Sequence, residues 1–130
     1  MLKILIAEDD PHIRNLFKKI LKNKGYDTIE ARDGEQALEI YDTLSEKPDI
    51  IVLDFRMPKI NGLEVIKEIL DRDPKSNILM ISGDPCINQL DLTNSHIRFK
   101  EKPVKMDDFL NEINSIVAQV WGLYEQILIS

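Results

Sequence analysis

Cysteine is all but missing: Cys86 is the only one in 130 residues. No internal disulfide can form, and a reducing compartment suits such a chain. Long apolar runs are missing too. None approaches the ~20 residues that a membrane-spanning helix needs. Residues 1–7 carry neither the basic flank nor the small-residue cleavage site of an export signal. These absences predict a soluble, cytoplasmic protein without a membrane segment. Positive charge is scarce as well, with 17 Lys and Arg against 23 Asp and Glu, a net charge of -6. That balance speaks against nucleic-acid binding by this domain. There is no Gly/Ser/Pro-rich linker, repeat or low-complexity tract, so the length reads as one domain with a sizeable core.

What is present is a repeating alternation. Ile4 to Ala7 is a short apolar run of strand type. Asp10 and Pro11 read as N-cap and first residue of a helix. Its stripe is Ile13, Leu16, Phe17, Ile20 and Leu21, and Gly25 stops it. Tyr26 to Ala31 reads as a second strand. Asp33 then caps a helix facing inward through Ala37, Leu38, Tyr41 and Leu44. Ile50 to Leu53 is a third strand that ends abruptly at Asp54. An Asn61-Gly62 turn follows, and Leu63, Ile66, Ile69 and Leu70 mark a third helix. Ile78 to Ile81 is a fourth strand ending at Ser82, Pro85 to Leu92 a thin helix candidate, and Ile97 to Glu101 a fifth strand. From Met106 a long helical stripe runs through Phe109, Leu110, Ile113, Ile116, Val117 and Val120.

Strands alternating with helices predict an α/β fold: a five-stranded parallel sheet covered by helices on both faces. Right-handed crossovers leave few topologies, chiefly the flavodoxin-like order 2-1-3-4-5. Ligands of such sheets sit beyond the carboxyl ends of the strands, where strands 1 and 3 diverge. The chemically unusual residues gather there: Glu8 and Asp9 after strand 1, Asp54 after strand 3, Ser82 after strand 4 and Lys102 after strand 5. Three carboxylates at one mouth repel each other unless a cation intervenes. A hard divalent ion such as Mg2+ is the natural partner, with Asp9 and Asp54 as direct ligands, Glu8 through water, and the Arg56 backbone carbonyl as a further oxygen. An Asp nucleophile, a short hydroxyl (Ser82) and an ammonium (Lys102) suit a phosphoryl group.

In that order and spacing, "ILIAEDDP", "VLDFRMPKINGLE", "LMISG" and "EKPV" resemble the receiver domain of bacterial-type response regulators. The D-x-x-M-P-x-x-x-G piece, Asp54, Met57, Pro58 and Gly62, is the most specific. The strand order above is also the one already known for that family, so resemblance and crossover rule point to it together. The resemblance implies a receiver over residues 1–120. It implies Asp54 as phosphoacceptor, Glu8 and Asp9 as the acidic metal pair (Mg2+ or Mn2+), and Ser82 and Phe99 as switch residues. Lys102 becomes the catalytic-type lysine, held by a cis bond to Pro103. Arg56 and Asp84 stand at positions where loss of phosphate is tuned. The domain would act as a signalling phosphoacceptor rather than an enzyme. A histidine kinase or phosphotransfer protein would load it, and an unknown downstream protein would read it. Two other readings use the same residues: a receiver-like interaction module without phosphorylation, and an aspartyl-phosphate hydrolase, whose D-x-D-x-T pattern this chain lacks. The segment from Ser82 to Lys102 is shorter than the family pattern, and Lys100 stands where an apolar strand residue is common. Residues 121–130, "WGLYEQILIS", are unusually apolar for a tail. They are expected to extend the last helix or begin a linker, and to pack on a partner such as a second copy.

Overall fold

The structure is a computed structural model that describes residues 2–83 and 96–129, with residues 123–129 as backbone only. Its elements run β1 (Lys3–Ala7), α1 (Pro11–Asn23), β2 (Asp27–Ala31), α2 (Gly34–Thr43), β3 (Ile50–Asp54), α3 (Gly62–Arg72), β4 (Ile78–Ser82), β5 (Ile97–Glu101) and α4 (Met106–Ile129). The helix candidate from Pro85 to Leu92 lies outside the described residues, as do Asp84 and Cys86.

All strands are parallel, in the order β2-β1-β3-β4-β5. The interior strands β3 and β4 are buried along their whole length. They read as unbroken apolar runs because helices cover both faces. Alternate residues serve opposite faces. Ile4, Ile6, Ile50, Val52, Leu79 and Ile81 pack with Phe17 and Leu21 of α1 and Phe109, Ile113 and Ile116 of α4. Leu5, Ala7, Ile51, Leu53, Ile78 and Met80 pack with α2 and α3 through Ala37, Tyr41, Val65, Ile66 and Ile69. The Phe17 and Phe109 rings stack with centroids 4.6 Å apart, joining α1 to α4.

The helix starts are chemically marked. The side chains of Asp10, Asp33 and Asn61 accept the backbone N–H groups of His12, Gln36 and Glu64. Each satisfies a donor that a first helical turn leaves unpaired. Asn61-Gly62 is therefore the start of α3 rather than a turn before it. At the other end of α1, Gly25 has φ +88°. Its N–H donates to the Lys22 carbonyl and that of Tyr26 to the Leu21 carbonyl, a Schellman closure. Tyr26 belongs to this closure, so β2 begins one residue later than its apolar start suggested.

The helix stripes differ from the expected ones in two places. Leu16 is 54% exposed, because Phe17 and Leu21 already occupy the line of α1 that meets the sheet. In α3, Val65 is fully buried while Leu63 and Leu70 only flank the core. Lys100 on the edge strand β5 is explained: with Arg98, it pairs with Glu112 of α4.

Two contacts generate predictions. A Cβ on Gly62 would lie 2.7 Å from the Asp54 carbonyl oxygen and 2.9 Å from the Phe55 Cα. Gly62→Ala should therefore destabilise the domain by about 2 kcal/mol, the scale of overpacking against backbone. Urea unfolding of the variant checks this. Thr28 Oγ1 is the one buried side-chain polar atom among the described residues with no hydrogen-bond partner. Thr28→Val keeps the β-branched shape and removes the desolvated hydroxyl, so it should raise stability by about 1 kcal/mol in the same measurement.

Candidate functional site

Between β1 and α1 the chain has only Glu8, Asp9 and Asp10 in which to turn. Asp10 serves as N-cap. Glu8 is held through its backbone on both sides: its N–H donates to the Ala31 carbonyl at 3.1 Å, and its carbonyl accepts from the Arg14 guanidinium at 2.8 Å. Its side chain is 2% exposed, whereas Asp9 is exposed. Asp54 ends β3 at 7% exposure. The loop after it is closed by the Gly62 N–H donating to the Phe55 carbonyl at 2.7 Å. That short bond requires the close approach only glycine allows. Lys102 follows β5, its N–H donating to the Ser82 carbonyl at 2.9 Å, and its bond to Pro103 is cis.

These elements bring the side chains together. The Lys102 ammonium lies 3.1 Å from Glu8 Oε1 and 3.2 Å from Asp54 Oδ1. One carboxylate oxygen from each of Glu8, Asp9 and Asp54 lies within 4.8 Å of the others. Ser82 is buried at the end of β4, paired in register with Glu101 and hydrogen-bonded through its carbonyl to Lys102. Arg56 is exposed in the loop two residues beyond Asp54. Phe99 does not join the cluster. It pairs with Met80 in the middle of β5 and packs against the core on the α2 and α3 side. Asp84 lies outside the described residues. Arg14, on the Glu8 carbonyl, was not singled out by sequence reasoning. Nothing in its local pattern marks it, because its contact depends on how α1 lies over β1.

The electrostatics follow from burial. Desolvation, then the neighbouring Asp54 charge and hydrogen bonds with Asp54 and Asp9, push the Glu8 carboxyl up to about 7, against the pull of Lys102. Burial alone would lower the Lys102 ammonium. The Asp54 and Glu8 carboxylates outweigh it, so its pKa is raised and it stays a cation. Three acids therefore face one ammonium, and the site has a surplus of negative charge. Carboxylate oxygens gathered within 4.8 Å of one another are a donor set that fits a small, hard divalent cation.

The sequence model of the response regulator receiver domain matches residues 4–114. The chain belongs to that family. It is 39% identical to the chemotaxis protein CheY of Listeria monocytogenes over 84 residues, covering 64% of this chain and 69% of that one. It is 29% identical to sporulation initiation phosphotransferase F of Bacillus subtilis over 113 residues, covering 85% and 90%. Among solved structures it resembles the response regulator TrrA of Thermotoga maritima, crystallised in complex with Mg(2+)-BeF. That match has a TM-score of 0.77 and 30% identity, covering 89% of this chain and 99% of that one. This is therefore a receiver domain of two-component signalling, with the sheet order expected for it. Among the described residues no helix is long and apolar enough to cross a membrane.

The pH dependence of the metal-free protein should carry the mark of Glu8. A carboxyl whose pKa is raised on folding stabilises the native state fully below pH 4.5, and that contribution is lost as pH rises through about 7. Across this window the urea midpoint of the wild type should fall relative to that of Glu8→Gln, which has no proton to lose. Parallel curves would show that the Glu8 carboxyl does not feel its neighbours.

Proposed function

We propose that this receiver accepts a phosphoryl group on Asp54 from the phosphohistidine of a histidine kinase or phosphotransfer protein, and signals by changing its surface. The observation that carries this reading is the Lys102 ammonium, set 3.1 Å from Glu8 and 3.2 Å from Asp54 at the carboxyl edge of the sheet. In the transfer, an Asp54 carboxylate oxygen attacks phosphorus. The bond from phosphorus to the donor's imidazole nitrogen breaks, and its electron pair stays on the leaving imidazole. Asp54 suits this role because it is buried, lies 3.2 Å from the Lys102 ammonium, and stands at the end of a rigid strand. Lys102 offsets charge on the incoming oxygens, and the Ser82 hydroxyl donates to another of them.

Asp9, Asp54 and the Arg56 carbonyl would hold Mg2+ or Mn2+ directly, with Glu8 through water. Such an ion supplies charge neutralisation and orientation of the phosphoryl oxygens. Once loaded, Asp54 carries about 1.5 to 2 negative charges in place of its single one. Those draw Ser82 and Lys102 inward, and Phe99 in the middle of β5 responds by repacking against Met80. Arg56, exposed two residues beyond Asp54, borders the approach of water to phosphorus and helps set how long the group stays. The far part of α4, where Trp121 is 55% exposed, offers a surface to a downstream protein or a second copy.

Intact-mass measurement with acetyl phosphate and Mg2+ tests the reading. The wild type should gain one labile phosphoryl group, and Asp54→Asn none. Lys102→Ala should still bind the ion but load far more slowly. Labelling that persists in Asp54→Asn moves the acceptor elsewhere. A wild type that gains nothing is an interaction module that works without phosphorylation.

A further inference from the structure

Asp9 is the acid of the cluster with the least obvious anchor. Asp54 sits at the end of a buried strand and Glu8 is enclosed, but Asp9 is exposed in a three-residue loop. Its carboxylate can face the cluster only if the peptide group joining Glu8 to Asp9 is held in one orientation. That group's carbonyl is the one the Arg14 guanidinium grips at 2.8 Å. We infer that Arg14 is a positioning residue: it fixes the Glu8–Asp9 peptide plane and so aims the Asp9 carboxylate at the metal.

Arg14 is well placed for this. Helical side chains lean toward the helix N-terminus. Arg14, in the first turn of α1, therefore reaches back over the loop that precedes it. Its backbone N–H meanwhile closes that turn on the Asp10 carbonyl at 2.9 Å. The guanidinium is itself steered. Its Nε lies 4.0 Å from Glu30 Oε1, and the other Glu30 oxygen is 3.4 Å from the Lys18 ammonium. Glu30 belongs to β2, opposite Ile6 and next to Ala31, whose carbonyl accepts the Glu8 N–H. Both hydrogen bonds that hold the Glu8 backbone thus trace to the same two residues of β2, one directly and one through Arg14.

The sign of the effect separates this role from a charge effect. A cation near a divalent site disfavours the ion by repulsion, so removing a purely electrostatic Arg14 would tighten Mg2+ binding. Removing a positioning Arg14 weakens it, because Asp9 swings free. Groups that orient a metal's ligands change affinity by about tenfold or more when lost. Glu30 already offsets part of the guanidinium charge, so positioning dominates.

The inference rests on the proposed Mg2+ site, and its test keeps the two apart. Calorimetric titration of the full chain with MgCl2 should show about tenfold weaker binding in Arg14→Gln. Arg14→Lys retains a donor for the Glu8 carbonyl and should recover most of the affinity. Glu30→Gln, which loosens the guanidinium without touching the loop, should fall between wild type and Arg14→Gln. With acetyl phosphate as donor, Arg14→Gln should need more Mg2+ to reach half its maximal loading rate while the maximal rate stays near wild type. In the metal-free protein, the Glu8 carbonyl 13C resonance should shift in Arg14→Gln and return in Arg14→Lys. Equal or tighter Mg2+ binding by a folded Arg14→Gln overturns the inference and leaves the phosphoacceptor reading intact. A wild type that binds no Mg2+ overturns both.

Discussion

Lys102 reaches across the mouth of the sheet to two carboxylates brought there by strands that β5 does not touch. Glu8 lies 94 positions away in sequence, and Asp54 comes from β3, with β4 between. Two buried carboxyl groups side by side repel each other when charged, and the Glu8 carboxyl is raised to about 7 even with the ammonium beside it. The ammonium offsets part of that repulsion, and it can do so only if β1, β3 and β5 end at one level. Strand order, register and the short loop after β1 all serve that requirement. On the proposed reading, a phosphoryl group entering with further negative charge would need a cation beside it, which would link its acceptance to metal binding.

Rigidity below the site has a simple origin. β3 and β4 are sealed on both faces, and β1 between two neighbours is nearly so, so no strand carrying an acid can slide without exposing a row of Ile, Val and Leu. A shift of one residue would turn every side chain to the opposite face. The loops have no such protection, and there the chain uses individual contacts: Gly62 against the Asp54 carbonyl, Arg14 on the Glu8 carbonyl, Lys102 on the Ser82 carbonyl. The division is between a scaffold held by burial and a mouth held by single hydrogen bonds.

The sheet was legible in the sequence because buried strands leave unbroken apolar runs and α1 and α2 announce their starts with Asp10 and Asp33. The four residues at the centre, Glu8, Asp9, Asp54 and Lys102, were legible for a related reason. Charged groups at the ends of such runs have few structural uses. What could not be read depends on relations between distant segments. Leu16 matches the period of α1, yet the sheet meets that helix along a neighbouring line. Asn61-Gly62 has the composition of a turn, and only the position of α3 makes it a cap. Arg14 looks like any solvated helix residue until α1 is laid over β1 and β2. Phe99 lies in the middle of β5 beside Met80 and packs on the α2 and α3 side of the sheet, a placement that only the strand pairing shows.

The last helix is the longest element among the described residues. The last buried of its described side chains is Ile116, and the helix runs on to Ile129. At about 1.5 Å per residue, its 24 residues span about 36 Å, roughly twice the length of a five-residue strand. Its first turn begins four residues beyond Lys102. It is a rod held against the sheet and α1 by Phe109, Ile113 and Ile116 in its first half, and its length converts angle into distance. A tilt of about 5° about its first turn would carry the far end about 3 Å, for a helix that moves as a rigid body of that length. On the proposed reading, a small reorientation beside the carboxylates would appear as an ångström displacement at the far end of this helix.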